Sequence, residues 1–572
     1  MERPVRRLGV PAAFLLLALL ANKYFLALLG ADYLAGGWVS NIFFWEFSWF
    51  GERLREGQYA AAWFTRDILF PIGSRVIVES PLALALALPL ERCLGAAWAF
   101  NLLWLASYPA AGWAMYALAL RLTANARASF LAGFLFMFSH YSLTQHRLGH
   151  LHETLVFLLP LFLLRLLIFR REEGKRGFFF LAAASAAACM GSPYIAASAL
   201  ISGAVLLAAE PRAPTGCPLP AGFWRGLCAA LALASAAGAA AYWPALAHPG
   251  SLLGGEDTYR LSLLSFLDYP SWHPSGWIQA LRRHTTPLPP PVAGLFLGRA
   301  GLSGQPGAEH LMGFFGLGIC LLLAAGARAG AWRGRGRWAA LGFVGLLLAL
   351  GPSLGPLRAP ARFILLAWTA SCVLAAYSFA ELEGSLRRSW KKTAAAALLC
   401  AVYAWESGLM AAPSGERMLW GGAYEALLQD TAPGALLELP AGVSASGQIT
   451  LNVERFMAPQ RRHRRPLVIG RPPGRYARES LAFLQETGLV FELAHPQALL
   501  KLYGEPALAG RLETLARTGR KTLSKAGIRA VLLHTDDALF SREVLEAYER
   551  LLRRALGEPR LIDETGAMLF FI

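Results

Sequence analysis

The chain has 572 residues, 55% of them hydrophobic, with a mean hydropathy of +0.42 and a formal net charge of +17. Apolar runs of bilayer-crossing length mark a polytopic membrane protein. The positive charge falls in short clusters between those runs, at 121–127, 170–176, 212–225, 328–337 and 387–392, so it is a topology signal and argues against a nucleic-acid partner.

The first run, 8–29, is long enough to cross a bilayer, which takes about 20 residues. Arg3, Arg6 and Arg7 precede it and favour a cytoplasmic N-terminus. A secretory signal peptide is the rival reading, but Asn22 and Lys23 stand where cleavage needs small residues. A retained anchor is expected. Further runs follow at 97–120, 130–143, 154–169, 178–190, 195–208, 227–246, 311–327, 339–350, 363–379 and 393–410. Hydropathy and charge parity together give about eleven spans. The apolar segment 81–90 is too short to cross and reads as re-entrant or interfacial. This parity places 32–80, 144–153, 247–310, 351–362 and everything after Ala411 on the outer face. No cysteine lies beyond Cys400 and none has metal-ligand spacing, so a disulfide framework is not expected. The parity is testable. Cysteine placed at Ser446 should react with a membrane-impermeant maleimide in intact cells, and cysteine at Ser385 should not; the opposite pattern exchanges the two faces.

The tail has a different texture. Segments 435–439 and 530–534 read as short buried strands, 479–488 and 541–556 as helices, and 560–572 as a hairpin turned at Glu564-Thr565-Gly566. The expected organisation is a membrane domain over 1–411 and an extracytoplasmic α/β domain over 412–572, tethered outside the membrane.

Candidate chemistry collects on the outer side. Asp32 lies just past the first span, at the opening of a loop rich in aromatics (Asn41–Phe50) that suit the membrane interface. A solvated acid without a role is the alternative for Asp32, and an ordinary aromatic belt for the rings. The second outer loop reads Gln145-His146-Arg147-Leu148-Gly149-His150-Leu151-His152-Glu153, whose imidazoles and carboxylate suit a divalent metal ion or a general base. A polar cap between two spans is its other reading. The third loop carries Arg260 and Glu309, and the fourth sets Arg358 and Arg362 at the mouth of a span. A guanidinium at the outer face suits a phosphate, and snorkelling is the alternative. The middles of the spans are nearly free of ionisable groups, which disfavours an ion-coupled transporter.

Several short segments in order resemble the GT-C superfamily of bacterial integral membrane glycosyltransferases, particularly its YfhO-like branch. They are Gly30-Ala31-Asp32, Phe70-Pro71-Ile72-Gly73-Ser74, Phe138-Ser139-His140-Tyr141 with Gly149-His150-Leu151, and Ser192-Pro193-Tyr194. Glu309-His310-Leu311-Met312-Gly313, Leu350-Gly351-Pro352, 357–363, Leu437-Glu438-Leu439-Pro440 and 527–534 continue the series. The resemblance implies a catalytic acid in the first outer loop, here Asp32, and a polyprenyl-phosphate sugar donor taken from the outer leaflet of the cytoplasmic membrane. Many relatives place a second acid beside the first, whereas Tyr33 follows Asp32 here. His150 or Glu153 would then assist Asp32 or join it around a divalent metal ion, the one cofactor these residues suggest. Arg260, Glu309, Arg358 and Arg362 would bind substrate. The implied reaction moves a sugar to a lipid, glycan or protein acceptor. A flippase, a ligase moving a whole glycan, and a non-catalytic assembly protein are the alternatives.

Overall fold

The computed structural model describes residues 4–27, 30, 33–37, 39–58, 61–76, 78–172, 174–208, 221–243, 312–351, 359–409, 415–440, 442–443, 449–451, 453–470, 482–484, 487–535 and 540–572. Asp32, Arg260, Glu309 and Arg358 lie outside them.

The first run forms α1 (Pro4–Ala21) and a short α2 (Lys23–Ala27). After them come α3 (Ser40–Arg55), α4 (Pro81–Leu94), α5 (Ala96–Thr123), α6 (Ala126–Met137), α7 (His140–Leu148) and α8 (Leu151–Thr154). The series continues with α9 (Leu158–Glu172), α10 (Lys175–Gly191), α11 (Pro193–Ala208) and α12 (Ala221–Ala241), then the helices Leu317–Arg328, Gly336–Leu350, Ile364–Gly384 and Ser389–Glu406. Three stretches, Leu151–Arg171, Gly222–Ala241 and Pro360–Gly384, are long and apolar enough to cross a membrane, and four shorter apolar helices accompany them among the described residues. The chain is a largely helical membrane protein.

Small residues let the helices approach closely, as packing within a bilayer favours. A Cβ on Gly112 or Gly133 would meet the ring of Phe14 at 2.7 or 2.6 Å, so α1 seats that ring in a notch between α5 and α6. Gly345 likewise admits Leu366 and Ala367. The expected span at 130–143 is interrupted. The helix α6 ends at Met137, and Ser139 starts α7 by accepting the Ser142 N–H on its hydroxyl at 3.2 Å. The apolar segment at 81–90 is the helix α4, of only 14 residues, begun by Ser80, whose hydroxyl accepts from Ala83 N–H. At about 1.5 Å per residue it is shorter than a bilayer core is thick.

The tail builds a four-stranded mixed sheet in the order β5-β8-β10-β9, from β5 (Ala435–Leu439), β8 (Ile528–Leu533), β9 (Leu561–Ile562) and β10 (Met568–Phe571). The strands β5 and β8 are parallel, and β9–β10 is the expected hairpin, with Gly566 at φ +82° in its turn. Side chains alternate across the sheet, as the two-residue period dictates. Leu437, Leu439, Val531, Leu533 and Phe570 face a core shared with the tail helices Gly488–Ala494, Pro496–Gly504, Ala509–Lys525 and Arg542–Leu556. Leu436, Ala530, Leu532 and Leu569 face the other way, into the same apolar core as Phe43, Trp45 and the membrane helices. The expected tether is thus a docked sheet. Part of the helix expected at 479–488 falls outside the described residues, and the helix Gly488–Ala494 begins where that one was to end.

Docking also recruits the segment that follows α2. The strand β1 (Tyr33–Ala35) pairs antiparallel with β4 (Gly415–Arg417), which enters the tail. Its other edge is held by Asn101 of α5, whose side-chain oxygen accepts from Ala35 N–H at 2.9 Å while its amide donates to the Tyr33 carbonyl at 2.8 Å.

Candidate functional site

Two glycines, Gly36 and Gly149, join the loop before α3 to the end of α7 backbone to backbone. A Cβ on Gly36 would lie 2.6 Å from Gly149 Cα, and one on Gly149 would lie 2.8 Å from Ser40 N. Gly149 itself needs a left-handed φ of +79° to end α7. A side chain at either position would push the loops apart.

Just past this contact, α8 presents His152 and Glu153. Glu153 is fully buried, and its carboxylate is surrounded by donors. Tyr141 donates its hydroxyl to Oε2 at 2.7 Å, Ser192 donates to Oε1 at 2.7 Å, and Arg362 Nη1 donates to Oε1 at 3.1 Å. His152 bridges two acids, with Nδ1 3.4 Å from Glu79 and Nε2 3.4 Å from Glu153. Arg362 Nη1 also lies 3.4 Å from His152 Nε2.

Arg362 belongs to a single 3-10 turn, Pro360–Phe363, that feeds the helix Ile364–Gly384. Pro360 opens this turn, as the sequence predicts from its fixed φ. The guanidinium lies 4.9 Å over the ring of Tyr194, whose hydroxyl accepts from Ala359 N–H at 2.6 Å. Tyr194 therefore fixes both the turn and the cation. Tyr242, beyond the end of α12, donates to the Glu79 carbonyl at 3.4 Å. The cluster thus joins carboxylates from two segments far apart in the chain, Glu79 and Glu153, to the arginine that opens the helix Ile364–Gly384.

Of the residues expected from sequence, Glu153 and Arg362 are in direct contact. His150 turns elsewhere: its Nδ1 lies 2.7 Å from Gln145 Oε1, and its ring centre is 5.6 Å from that of His152. His146 points into the helices, against Ser107 at 2.7 Å and stacked on Tyr108. Of the expected metal set, Asp32 lies outside the described residues, His150 meets Gln145, and Glu153 meets Tyr141, Ser192 and Arg362. Among the described residues no group of three His, Cys, Asp or Glu is placed to hold a metal ion. Sequence reasoning missed Glu79, Tyr141, Ser192 and Tyr194 as site residues, and it counted His152 among the imidazoles of the second loop without singling it out. Tyr141, Ser192 and Tyr194 sit inside the motifs quoted for the family resemblance, and Glu79 stands one residue before the Ser80 helix cap, so a local signal existed for each.

No protein-family model matches the chain, and no curated protein matches it. Solved structures do. Arabinofuranosyltransferase AftD from Mycobacteria superposes with a TM-score of 0.56 at 17% identity, over 98% of this chain and 39% of that one. The oligosaccharyltransferase of Archaeoglobus fulgidus superposes with a TM-score of 0.50 at 13% identity, over 92% of this chain and 69% of that one. The chain shares the helical fold of these two structures. This chain spans well under half the length of the arabinofuranosyltransferase, and at these identities the likeness is one of fold. ArnT from Cupriavidus metallidurans is a weaker match, with a TM-score of 0.47 at 15% identity over 99% of this chain and 98% of that one.

Proposed function

We propose that this chain transfers a sugar from a polyprenyl-phosphate-linked donor to a lipid, glycan or protein acceptor at the outer face of the cytoplasmic membrane. The observation that carries this reading is the convergence of Glu79, His152, Glu153 and Arg362 from three outer segments of a GT-C-like helical fold. The YfhO-like branch, the cytoplasmic N-terminus and the extracytoplasmic tail are parts of the same reading.

Sugar transfer needs a base for the acceptor hydroxyl and a cation for the departing lipid phosphate. Asp32 is assigned the base. Its neighbour in sequence, Tyr33, begins the strand that Asn101 and β4 hold from either side. Arg362 is assigned the phosphate, since its planar fork is oriented before substrate arrives by Glu153 on one edge and Tyr194 beneath it. Arg260 and Arg358 are assigned supporting contacts to the same anion and Glu309 a contact to the sugar. His152, bracketed by Glu79 and Glu153 beside Arg362, takes the assisting role first expected of His150.

The test is a reconstitution. Full-length protein in nanodiscs, given a radiolabelled polyprenyl-phosphate sugar and membrane extract as acceptor, should release polyprenyl phosphate and label an acceptor. Movement of the lipid across the bilayer without acceptor labelling would assign a flippase instead.

A further inference from the structure

Besides the β1–β4 pair, one short helix of the tail, Met457–His463, meets the first outer loop. On the loop side, Gln460 Oε1 accepts from Trp45 Nε1 at 2.9 Å. Arg461 pairs with Glu52 of α3 and with Asp67, the latter at 3.1 Å, and its guanidinium lies 5.3 Å over the ring of Trp49. Its side chain is only 6% exposed, so the two acids are the partners of a buried cation rather than a surface pair. A few residues on, Leu467 donates its N–H to the Asp67 carbonyl at 2.9 Å and accepts from Phe70 N–H at 3.0 Å.

On the tail side the same helix is anchored in the sheet. His463 Nδ1 accepts from Arg465 N–H at 3.1 Å, which turns Nε2 toward Glu438, 3.8 Å away. Glu438 lies near the end of β5 and His534 just past β8, on the sheet face turned toward the loop. Tyr424 donates to Glu438 at 2.7 Å, and His534 Nε2 lies 3.2 Å from the same oxygen. Burial alone would raise the Glu438 carboxyl, but His463 and His534 together hold it below its usual range. The helix is thus rigidly based. The far end of α3 reaches the functional site, where the ring of Phe43 lies 5.7 Å from that of His152.

We propose that Arg461 is a positioning residue for the proposed sugar transfer: it locks α3 and the Asp67 turn to the tail and so sets the first outer loop against His152. The proposal rests on the reading that this loop carries the reaction. Small displacements of a loop that orients reacting groups cost rate more than affinity.

The test uses full-length protein in nanodiscs with a polyprenyl-phosphate sugar. In Arg461→Ala, kcat should fall roughly tenfold or more while the donor KM moves by less than about threefold. Arg461→Lys should recover part of the loss. Adding Arg461→Ala to the Glu52→Gln, Asp67→Asn double variant should cost nothing further, because the lock is already open. Arg511→Ala, which breaks a tail ion pair with Glu492 away from the loop, should leave the rate unchanged. A second readout needs no activity. Ile68 is 2% exposed and packs against Gly470, so Ile68→Cys should resist a maleimide in the parent and react in the Arg461→Ala background. Failure of that cysteine to react overturns the lock, and reaction without loss of kcat overturns the positioning role. A parent protein that transfers no sugar defeats the transfer reading instead, and the labelling result then judges the lock alone.

Discussion

Asp32→Asn should abolish acceptor labelling and polyprenyl-phosphate release while the protein remains folded and inserted. Asparagine keeps the size of the side chain and removes its charge and its basicity. A positioned general base contributes on the order of 10²–10⁴-fold, so the loss falls on kcat and not on abundance or donor affinity. Single-turnover measurement in nanodiscs, with thermal unfolding of the same sample as a control, separates the two. Near-normal turnover in Asp32→Asn removes this residue from the role of base. Glu79→Gln and His152→Ala are then the variants to compare, because His152 stands between two acids beside Arg362.

Arg362→Ala has two consequences, and a double variant parts them. The first is structural. Glu153 is fully buried, and without Arg362 its charge keeps only the hydroxyls of Tyr141 and Ser192 and the ring of His152. Removing one partner of a buried pair costs about 3–5 kcal/mol, and the slight exposure of Arg362 puts the expected loss near the lower figure. The second is functional, the loss of a charge-assisted contact to the donor phosphate, about 1.5–3 kcal/mol. Adding Glu153→Gln removes the stranded charge, so Arg362→Ala/Glu153→Gln should regain most of the thermal stability. It should not regain donor affinity. Arg362→Lys, which keeps the charge without the planar fork, should fall between parent and alanine in donor binding. Titration with a polyprenyl-phosphate sugar checks both arms. Donor affinity restored along with stability would make Arg362 a counter-ion for Glu153 and nothing more.

The helical membrane architecture and the tail strands were legible because each is written in neighbouring residues. Runs such as 97–120 and 178–190 carry their hydropathy continuously and became α5 and α10. The runs at 435–439 and 530–534 are short, apolar and β-branched or leucine-rich, and they became the parallel pair β5 and β8. Pro360 announced the helix start that holds Arg362. Where a single polar residue outweighed hydropathy, the reading by runs failed: Ser139 offers its hydroxyl to Ser142 and divides one apolar stretch into two helices.

The amino-acid sequence by itself determined a largely helical membrane protein and the short strands of its tail. These follow from burial and backbone propensity, which act over a few residues and leave a periodic trace. Only the tertiary structure decided that Glu153 would meet Arg362, that His152 rather than His150 would bridge two carboxylates, and that the tail would dock on the first loop through Arg461. A charge buried far along the chain from its partner leaves no local pattern. Its position is set when packed helices and the glycine contact between two loops bring both groups out of water, where each must find the other or pay the desolvation cost.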